Sequence, residues 1–301
     1  MKIGLMIATA GAADLNAVLG QIERAEALGL ASVWVPSVRS FDALTVLALA
    51  GRQTRTVELG TFVIPTYPRH PAALAEQALA VQAASGGRLA LGIGLSHRRT
   101  MEGMLGFDWS HPIRHMREYL TCLTPLLRGE LTSFAGQEFR IEGYQLSVPG
   151  ATPPPVLVAA LGPQMLRLAG RLADGTAVWM GGPRYLAEHA LPGITAAAQQ
   201  AGRPAPRIVA GLPVCVTDRP DEVRERAARA FERYGQLPSY RAILDREGAE
   251  GPADVSLIGS EAHVRAGLRQ LESAGATDLA ASLYAPRGED PQRTYDLLRS
   301  W

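Results

Sequence analysis

Residues 85–99 of this 301-residue chain, SGGRLALGIGLSHRR, contain groups that could carry chemistry. Gly92 and Gly94 end a strand-like run, and His97 follows them with two arginines behind it. A histidine at such a position can exchange a proton with a substrate, because imidazole titrates near neutral pH. It can also cap a helix or face solvent, and the segment alone leaves both interpretations open.

Gly92 and Gly94 do not form a dinucleotide-binding fingerprint. The pattern GxGxxG needs a third glycine where this chain has His97. In a strand, Ala90, Gly92 and Gly94 share one face, and an inward orientation of that face predicts empty volume that a ligand could approach. The alternative is that the glycines relieve crowding between the layers of a barrel.

The segment Ala159-Ala160-Leu161-Gly162-Pro163 joins a strand-like run to a helical one. Proline is favoured at the first helical position, and small residues before it let a ligand approach the exposed amides. Such a helix N-terminus can hold a phosphate. An ordinary strand–helix turn is the alternative.

The other reactive side chains form no recognisable constellation. His97, His111 and His115 fall in one region, but the sequence lacks a converging set of carboxylates or further histidines, so we predict no metal site. Lys2 is the sole lysine, and neither a Ser-His-Asp order nor a phosphate P-loop is present.

Four residues near element ends have simpler interpretations. His70 precedes a helix and is expected to be structural, and Asp42 is expected to cap one. Trp34 and Trp179 end strand-like runs, where each could line a pocket or fill the core.

The elements that would position these residues alternate between short apolar runs and amphipathic helical stretches. The first pair is a strand over 2–8 and a helix over 14–28, which Asp14 caps and Gly29 ends. Seven further strand–helix pairs follow, over 32–35 and 42–51, 57–64 and 72–84, 88–94 and 113–127, 155–160 and 164–172, 176–179 and 185–201, 207–216 and 221–233, and 277–284 and 291–299. Eight pairs predict an α/β fold, a (β/α)8 TIM barrel that forms a single domain over 1–301.

Three insertions interrupt the alternation. Residues 96–112 follow strand 4, residues 129–154 precede strand 5 with the pattern of a hairpin, and residues 234–252 follow strand 7 with little periodicity. Barrel active sites lie at the carboxyl ends of the strands, so the insertion over 96–112 is expected to matter most.

The composition excludes several classes of partner. A net charge of +1 gives no reason to expect nucleic acid or an anionic membrane, and no apolar run is long enough to span a bilayer. Cys122 and Cys215 form no CxxC pair, which fits a reducing cytoplasm. The N-terminus, MKIGLMIATAGAA, leads straight into a helical pattern and is not expected to be a signal peptide.

Three stretches resemble the bacterial-luciferase-like oxidoreductases, which use a flavin or the deazaflavin coenzyme F420. They are AEALGLASVWVP over 25–36, VELGTFVIPTYPRHPAALAEQALAVQAASGGRLALGIGLSH over 57–97 and PPPVLVAALGPQMLRLAGRLADGTAVWM over 153–180. In combination, their LGTxV, RHP, SGGRxxLGxG and AALGP elements are most similar to the F420-dependent branch of the family.

The resemblance implies that the coenzyme ring lies at the carboxyl-terminal mouth of the barrel. It implies a bulge after the third strand with a non-prolyl cis peptide at Phe62-Val63, and it places the phosphate of the coenzyme tail at the turn before Pro163. The cofactor-binding residues that it implies are Ser37, Thr61, Phe62, Val63, Gly94, Leu95, Ser96, Ala159, Ala160, Leu161, Gly162, Pro163 and Met180.

Two departures from the family pattern affect the expected activity. Sugar-phosphate and alcohol dehydrogenases of the family carry a histidine where this chain has Pro36-Ser37, and a glutamate where it has His97. The resemblance therefore argues against those two activities, and it makes His97 the leading candidate for a proton donor or a substrate hydrogen bond.

The sequence thus predicts an F420-dependent oxidoreductase that transfers a hydride between the deazaflavin and a small organic substrate. The alternatives are an FMN-dependent monooxygenase of the same family and a non-catalytic protein that binds flavin or F420. The resemblance also implies a homodimer.

Overall fold

The computed structural model describes residues 1–285 and 290–301, and its centre is a closed parallel barrel. The barrel strands are β1 Lys2–Met6, β2 Ser32–Val35, β3 Glu58–Thr61 with its continuation β4 Ile64–Pro65, β5 Leu89–Gly94, β8 Val156–Ala159, β9 Gly175–Trp179, β10 Arg207–Val216 and β12 Asp278–Leu283. The strands pair in chain order, and β10 closes the ring by pairing with both β9 and β12. The predicted TIM-barrel fold is confirmed.

Helices cover the outside of the barrel. They are α1 Leu15–Ala27, α2 Ala43–Gln53, α3 Pro71–Ser85, α4 Arg98–Met101, α5 Pro112–Leu127, α6 Pro163–Leu172, α7 Pro183–Tyr185, α8 Leu191–Gln200, α9 Pro220–Gly235, α10 Pro238–Glu247, α11 Glu261–Ser273 and α12 Gln292–Arg299, with a π-helical segment over Leu186–Ala190. Asp14 caps α1 and Asp42 caps α2, each accepting a hydrogen bond from a backbone amide three residues on, as the sequence predicts. In the described part of the chain, no helix has the length and hydropathy to cross a membrane.

Small and large side chains alternate inside the barrel. Trp34 is fully buried there, and its indole N–H donates to Ser32 Oγ at 2.9 Å. The ring lies over Gly60, where a Cβ atom would be 2.1 Å from it. Trp34 therefore belongs to the core.

An ion cluster closes the amino-terminal end of the barrel. Arg207 donates to both carboxylate oxygens of Asp278, at 2.6 and 2.8 Å, and to Glu58 at 2.5 Å. Because these carboxylates surround the guanidinium, they raise the pKa of Arg207. The cluster of one guanidinium and two carboxylates ties the first residues of β3, β10 and β12 together.

The insertions follow the prediction in part. Residues 129–154 contain the expected hairpin, formed by the antiparallel strands β6 Thr132–Ala135 and β7 Arg140–Tyr144. The weak periodicity of 234–252 was misleading, since α10 lies there, and the predicted pairs omit both α11 and the short strand β11 Leu257–Gly259. Ser260 caps α11, and Val264, Leu268 and Leu271 form its buried face, so the signal for that helix was present.

Candidate functional site at the barrel mouth

Strained backbone is concentrated at the carboxyl ends of the barrel strands. Among the described residues, three that are not glycine have a left-handed φ: Arg39 at 54°, Ser96 at 64° and Met180 at 59°. They follow β2, β5 and β9, respectively. Such conformations persist where the surrounding structure enforces them, and they cluster at functional sites. This end of the barrel is therefore our candidate site.

A bulge separates β3 from β4 at this end. The peptide bond between Phe62 and Val63 is cis, at the position that the resemblance implies. The Phe62 ring makes edge contacts with Trp34 and Trp179, with centroids 6.1 and 6.4 Å apart. The bulge thus joins the aromatic core to the floor of the mouth.

Gly92 and Gly94 face the interior, but the empty volume expected beside them does not exist. A Cβ atom on Gly92 would be 2.1 Å from the carbonyl oxygen of Thr61, and one on Gly94 would be 2.7 Å from Val63 Cγ2. The Thr61 hydroxyl also donates to the Gly92 carbonyl at 2.7 Å and accepts from its amide at 2.8 Å. The expectation of empty space was wrong because the bulge fills it, and the two glycines allow the close approach of Thr61 and Val63.

His97 lies half-buried against an aromatic wall. It occupies the N-cap position of α4, but its side chain makes no capping hydrogen bond. Its ring contacts Tyr234 of α9 and Tyr240 of α10, with centroid distances of 6.1 and 6.0 Å, and these two tyrosines touch each other at 5.0 Å. The wall continues through Trp179, whose ring lies 6.3 Å from that of Tyr234.

The electrostatics of this wall favour a neutral imidazole. Burial lowers the pKa of His97, and the positive charge of Arg233 lowers it further. Burial raises the pKa of Tyr234 and of Tyr240, so that both phenols stay protonated near neutral pH. At pH 7 the wall therefore presents an uncharged imidazole with one donor and one acceptor nitrogen, packed against two tyrosine rings.

The turn before α6 leaves a helix N-terminus open. Gly162 is its N-cap residue, is exposed, and has no side-chain atom within 4 Å of where its Cβ would be. The first intrahelical bond runs from the amide of Leu166 to the carbonyl of Gly162. In the described residues no side chain caps this helix, so its first amides are free to bind an anion.

The neighbouring helix start, at α7, is occupied. It also begins with a Gly-Pro pair, Gly182-Pro183, but Glu247 of α10 accepts hydrogen bonds there from the amides of Arg184 and Tyr185, at 3.2 and 2.7 Å. A Cβ atom on Gly182 would be 2.3 Å from the carboxyl carbon of Glu247. An internal carboxylate thus fills the position that an external anion could take.

The structure brings the sequence-predicted residues to one end of the barrel. Thr61, Gly94 and Ala159 are the last residues of β3, β5 and β8, and the others come directly after a barrel strand. These are Ser37 after β2; Phe62 and Val63 after β3; Leu95, Ser96 and His97 after β5; Ala160, Leu161, Gly162 and Pro163 after β8; and Met180 after β9. Met180 is buried and its amide donates to the carbonyl of Gly211 at 3.0 Å. Their roles toward a coenzyme stay predictions.

The other histidines have different surroundings. His115 is buried, shares a 3.0 Å hydrogen bond with Thr66 Oγ1 and stacks on Tyr67, and burial lowers its pKa to about 4. His70 caps α3 through Nδ1, which confirms its structural role.

The described residues contain no group of three or more histidine, cysteine or acidic side chains that could hold a metal ion.

Sequence reasoning missed the residues that the insertion after β10 contributes. Tyr234, Tyr240 and Glu247 all lie in or beside the stretch that showed little periodicity. The Leu237-Pro238 start and the left-handed Gly248 end of α10 were available signals. Their contacts with His97 and α7 were not, because they join segments distant in sequence.

An open groove of about 560 Å³ lies at the opposite end of the barrel. Its lining includes Ile3 in β1, Leu30 before β2, Arg269 in α11 and Trp301 after α12. Catalytic sites of this fold lie at the carboxyl ends of the strands, and we therefore place the site at the mouth.

The fold is that of the TIM-barrel proteins, and comparison with known proteins identifies the family. The model of the luciferase-like monooxygenases matches residues 1–278, so the chain belongs to that family of oxidoreductases, which use F420 or FMN.

Two relatives and one solved structure illustrate the similarity. The chain is 34% identical over 211 residues to the 5,10-methylenetetrahydromethanopterin reductase of Archaeoglobus fulgidus, covering 69% of this chain and 61% of the relative. It is 36% identical over 161 residues to the F420-dependent hydroxymycolic acid dehydrogenase of Mycobacterium tuberculosis, covering 52% of this chain and 44% of the relative. The chain thus matches less than two thirds of the length of either relative.

The solved structure is the coenzyme F420 dependent tetrahydromethanopterin reductase of Methanopyrus kandleri. It superimposes with a TM-score of 0.83 at 20% identity, covering 99% of this chain and 97% of the other. At that identity the similarity establishes the fold.

Proposed function

We propose that this protein is an F420-dependent oxidoreductase that transfers a hydride between the deazaflavin and a small organic substrate at the barrel mouth. The observation that carries the proposal is the open N-terminus of α6 at the mouth, which suits the anionic tail of a coenzyme. The F420-dependent relative at 36% identity supports this coenzyme over FMN.

The residues present fit such a coenzyme. The exposed amides that follow Gly162 would hold the phosphate, and Gly162 itself leaves room for it. The bulge at Phe62-Val63 and the turn over Gly94, Leu95 and Ser96 would support the ring. When bound, the coenzyme supplies the hydride chemistry, and the protein supplies position and a dry surrounding.

His97 would bind the substrate and hold or deliver a proton. Its imidazole is neutral at pH 7, so that it can donate a hydrogen bond to a carbonyl oxygen through one nitrogen. Tyr234, Tyr240 and Trp179 would exclude water from this side of the mouth. Ser37 and Met180 would border the coenzyme.

Anaerobic turnover with reduced F420 tests the proposal. Consumption of reduced F420 by an unsaturated or carbonyl substrate without oxygen supports it, whereas product that requires oxygen and reduced FMN supports the monooxygenase alternative. Tight coenzyme binding without turnover of a broad panel supports the non-catalytic alternative.

The His97→Gln variant tests the role of the imidazole. We expect kcat to fall about 100-fold with little change in coenzyme affinity, because glutamine keeps a hydrogen-bond donor but cannot transfer a proton. His111→Gln, at an exposed position, is the control. Full activity of the His97 variant would remove the proposed role.

A homodimer and a cytoplasmic location stay predictions.

A further inference from the structure

Tyr185 connects the two helix starts at the mouth. The residue is fully buried, and its hydroxyl donates a 2.7 Å hydrogen bond to the carbonyl of Leu161, in the turn that precedes α6. Burial raises the pKa of this phenol, so it remains a donor, as a carbonyl partner requires. Its own amide donates to Glu247 at 2.7 Å. One residue therefore contacts both the open turn and the carboxylate of α10.

The surroundings of Glu247 are shaped to hold it. Gly182 gives its carboxyl group the space that a Cβ atom would take. A Cβ atom on Gly181 would be 2.5 Å from Val178 Cγ1 and 3.0 Å from Cδ1 of the Tyr185 ring. The two glycines let Glu247 and Tyr185 pack closely against the end of β9.

Helix α10 carries this attachment to His97. Tyr240, Leu244 and Glu247 are spaced i, i+4 and i+7, which places them along one face of the helix over about 10 Å. Tyr240 contacts the His97 ring at one end of this face, and Glu247 holds α7 at the other. Leu244 is fully buried between them.

We propose that Tyr185 and Glu247 are positioning residues that couple the anion-binding turn of α6 to the His97 wall. The coupling runs from Leu161 through the Tyr185 hydroxyl and amide to Glu247, and along α10 to Tyr240. The inference rests on the proposed function, since it assumes that the α6 turn holds the coenzyme. An anion bound at that turn then stabilises α10 and fixes the wall against which the substrate binds.

Hydrogen exchange of the whole chain without ligand tests the linkage. Variants Tyr185→Phe, Glu247→Gln and Glu247→Ala are compared with Tyr144→Phe and Glu250→Gln, which change the same groups at exposed positions. We expect Glu247→Ala to speed amide exchange about 10-fold both in 238–247 and in 166–172, where the amides of α6 are hydrogen-bonded, and Tyr185→Phe to speed it mainly in 166–172. Unchanged exchange in 166–172 in both variants overturns the linkage.

Coenzyme binding tests the coupling. In the unmodified chain, saturating F420 or FMN should slow exchange in α10, and the dissociation constant should rise about 5- to 50-fold in Tyr185→Phe and in Glu247→Ala. Glu247→Gln keeps one acceptor oxygen and should recover part of the affinity. Retained slowing of α10 in Tyr185→Phe contradicts the coupling. If neither coenzyme binds the unmodified chain, the proposed function fails, and exchange in the ligand-free variants still decides whether Glu247 and Tyr185 link the two segments.

Discussion

Helices α6 and α7 follow neighbouring barrel strands and begin with the same Gly-Pro pair, yet their N-termini differ in what they hold. Gly162 is exposed and no side chain of residues 1–285 or 290–301 bonds the amides after it, whereas Gly182 is buried and Glu247 accepts from the two amides after Pro183. Both ends carry the same partial positive charge. The comparison separates a helix start whose amides are paired within the fold from one whose first amides have no side-chain partner among the described residues.

The difference arises from a residue distant in sequence. Glu247 lies more than 60 residues from the amides that it binds, and it reaches them because the insertion after β10 folds back over β9. At the start of α6, the part of the chain that the structure describes supplies no such carboxylate. Where the tertiary structure supplies no carboxylate, a helix N-terminus keeps amides that an anion can bind.

A carboxylate introduced at the start of α6 should produce the largest effect, a loss of coenzyme affinity. In Gly162→Asp the new side chain can cap the free amides, since φ is −96° and the Cβ position is open. We expect folding stability to rise by about 1 kcal/mol relative to Gly162→Ala, and coenzyme affinity to fall about 100-fold, because an anion would meet an occupied, negatively charged site.

Denaturation and a fluorescence titration measure the two effects of Gly162→Asp. Gly162→Ala is the control, because it adds a Cβ without a charge. Equal coenzyme affinities in the two variants would show that the tail does not bind at α6.

The opposite change, at α7, should affect stability. Gly182→Ala places a methyl group where the Glu247 carboxyl lies, although its φ of −78° suits alanine. Displacing the carboxylate leaves two amides unpaired, and we expect the free energy of unfolding to fall by about 2 kcal/mol in urea denaturation. Gly162→Ala should change it by less than about 0.5 kcal/mol. Similar losses in both variants would contradict the distinction between the two helix starts.

The smallest expected effect is on the titration of His97, which α10 buries. Histidine NMR should give a pKa below the ordinary value of about 6.5, and Tyr240→Ala and Arg233→Gln should each raise it. Because the folded state resists protonation there, this histidine costs stability as pH falls below about 6.5, and costs nothing above it. A pKa that does not move in Tyr240→Ala would mean that α10 does not control the imidazole.

The sequence predicted what local patterns determine. The caps at Asp14 and Asp42, the strand over 32–35 and the hairpin after α5 depend on neighbouring residues, and all were found. The position of the cis bond came from family resemblance. The grouping of the predicted residues at one end follows from the topology of parallel strands.

Other features depend on packing between distant segments. Gly92 and Gly94 predicted empty space because the sequence does not reveal that the bulge at Val63 fills it. The sequence likewise does not reveal the contact of Tyr240 with His97 or of Glu247 with α7, because the two partners of each contact lie far apart in the chain. Helix α11 is a different case, because its cap and its apolar spacing were visible in the sequence.

Parallel titration of the purified chain with F420 and FMN tests the central claim most directly. We predict that F420 binds at least about 10-fold more tightly than FMN, and that Gly162→Asp lowers the F420 affinity about 100-fold while the protein stays folded. Binding of FMN alone, or F420 binding that is indifferent to Gly162→Asp, would contradict the account.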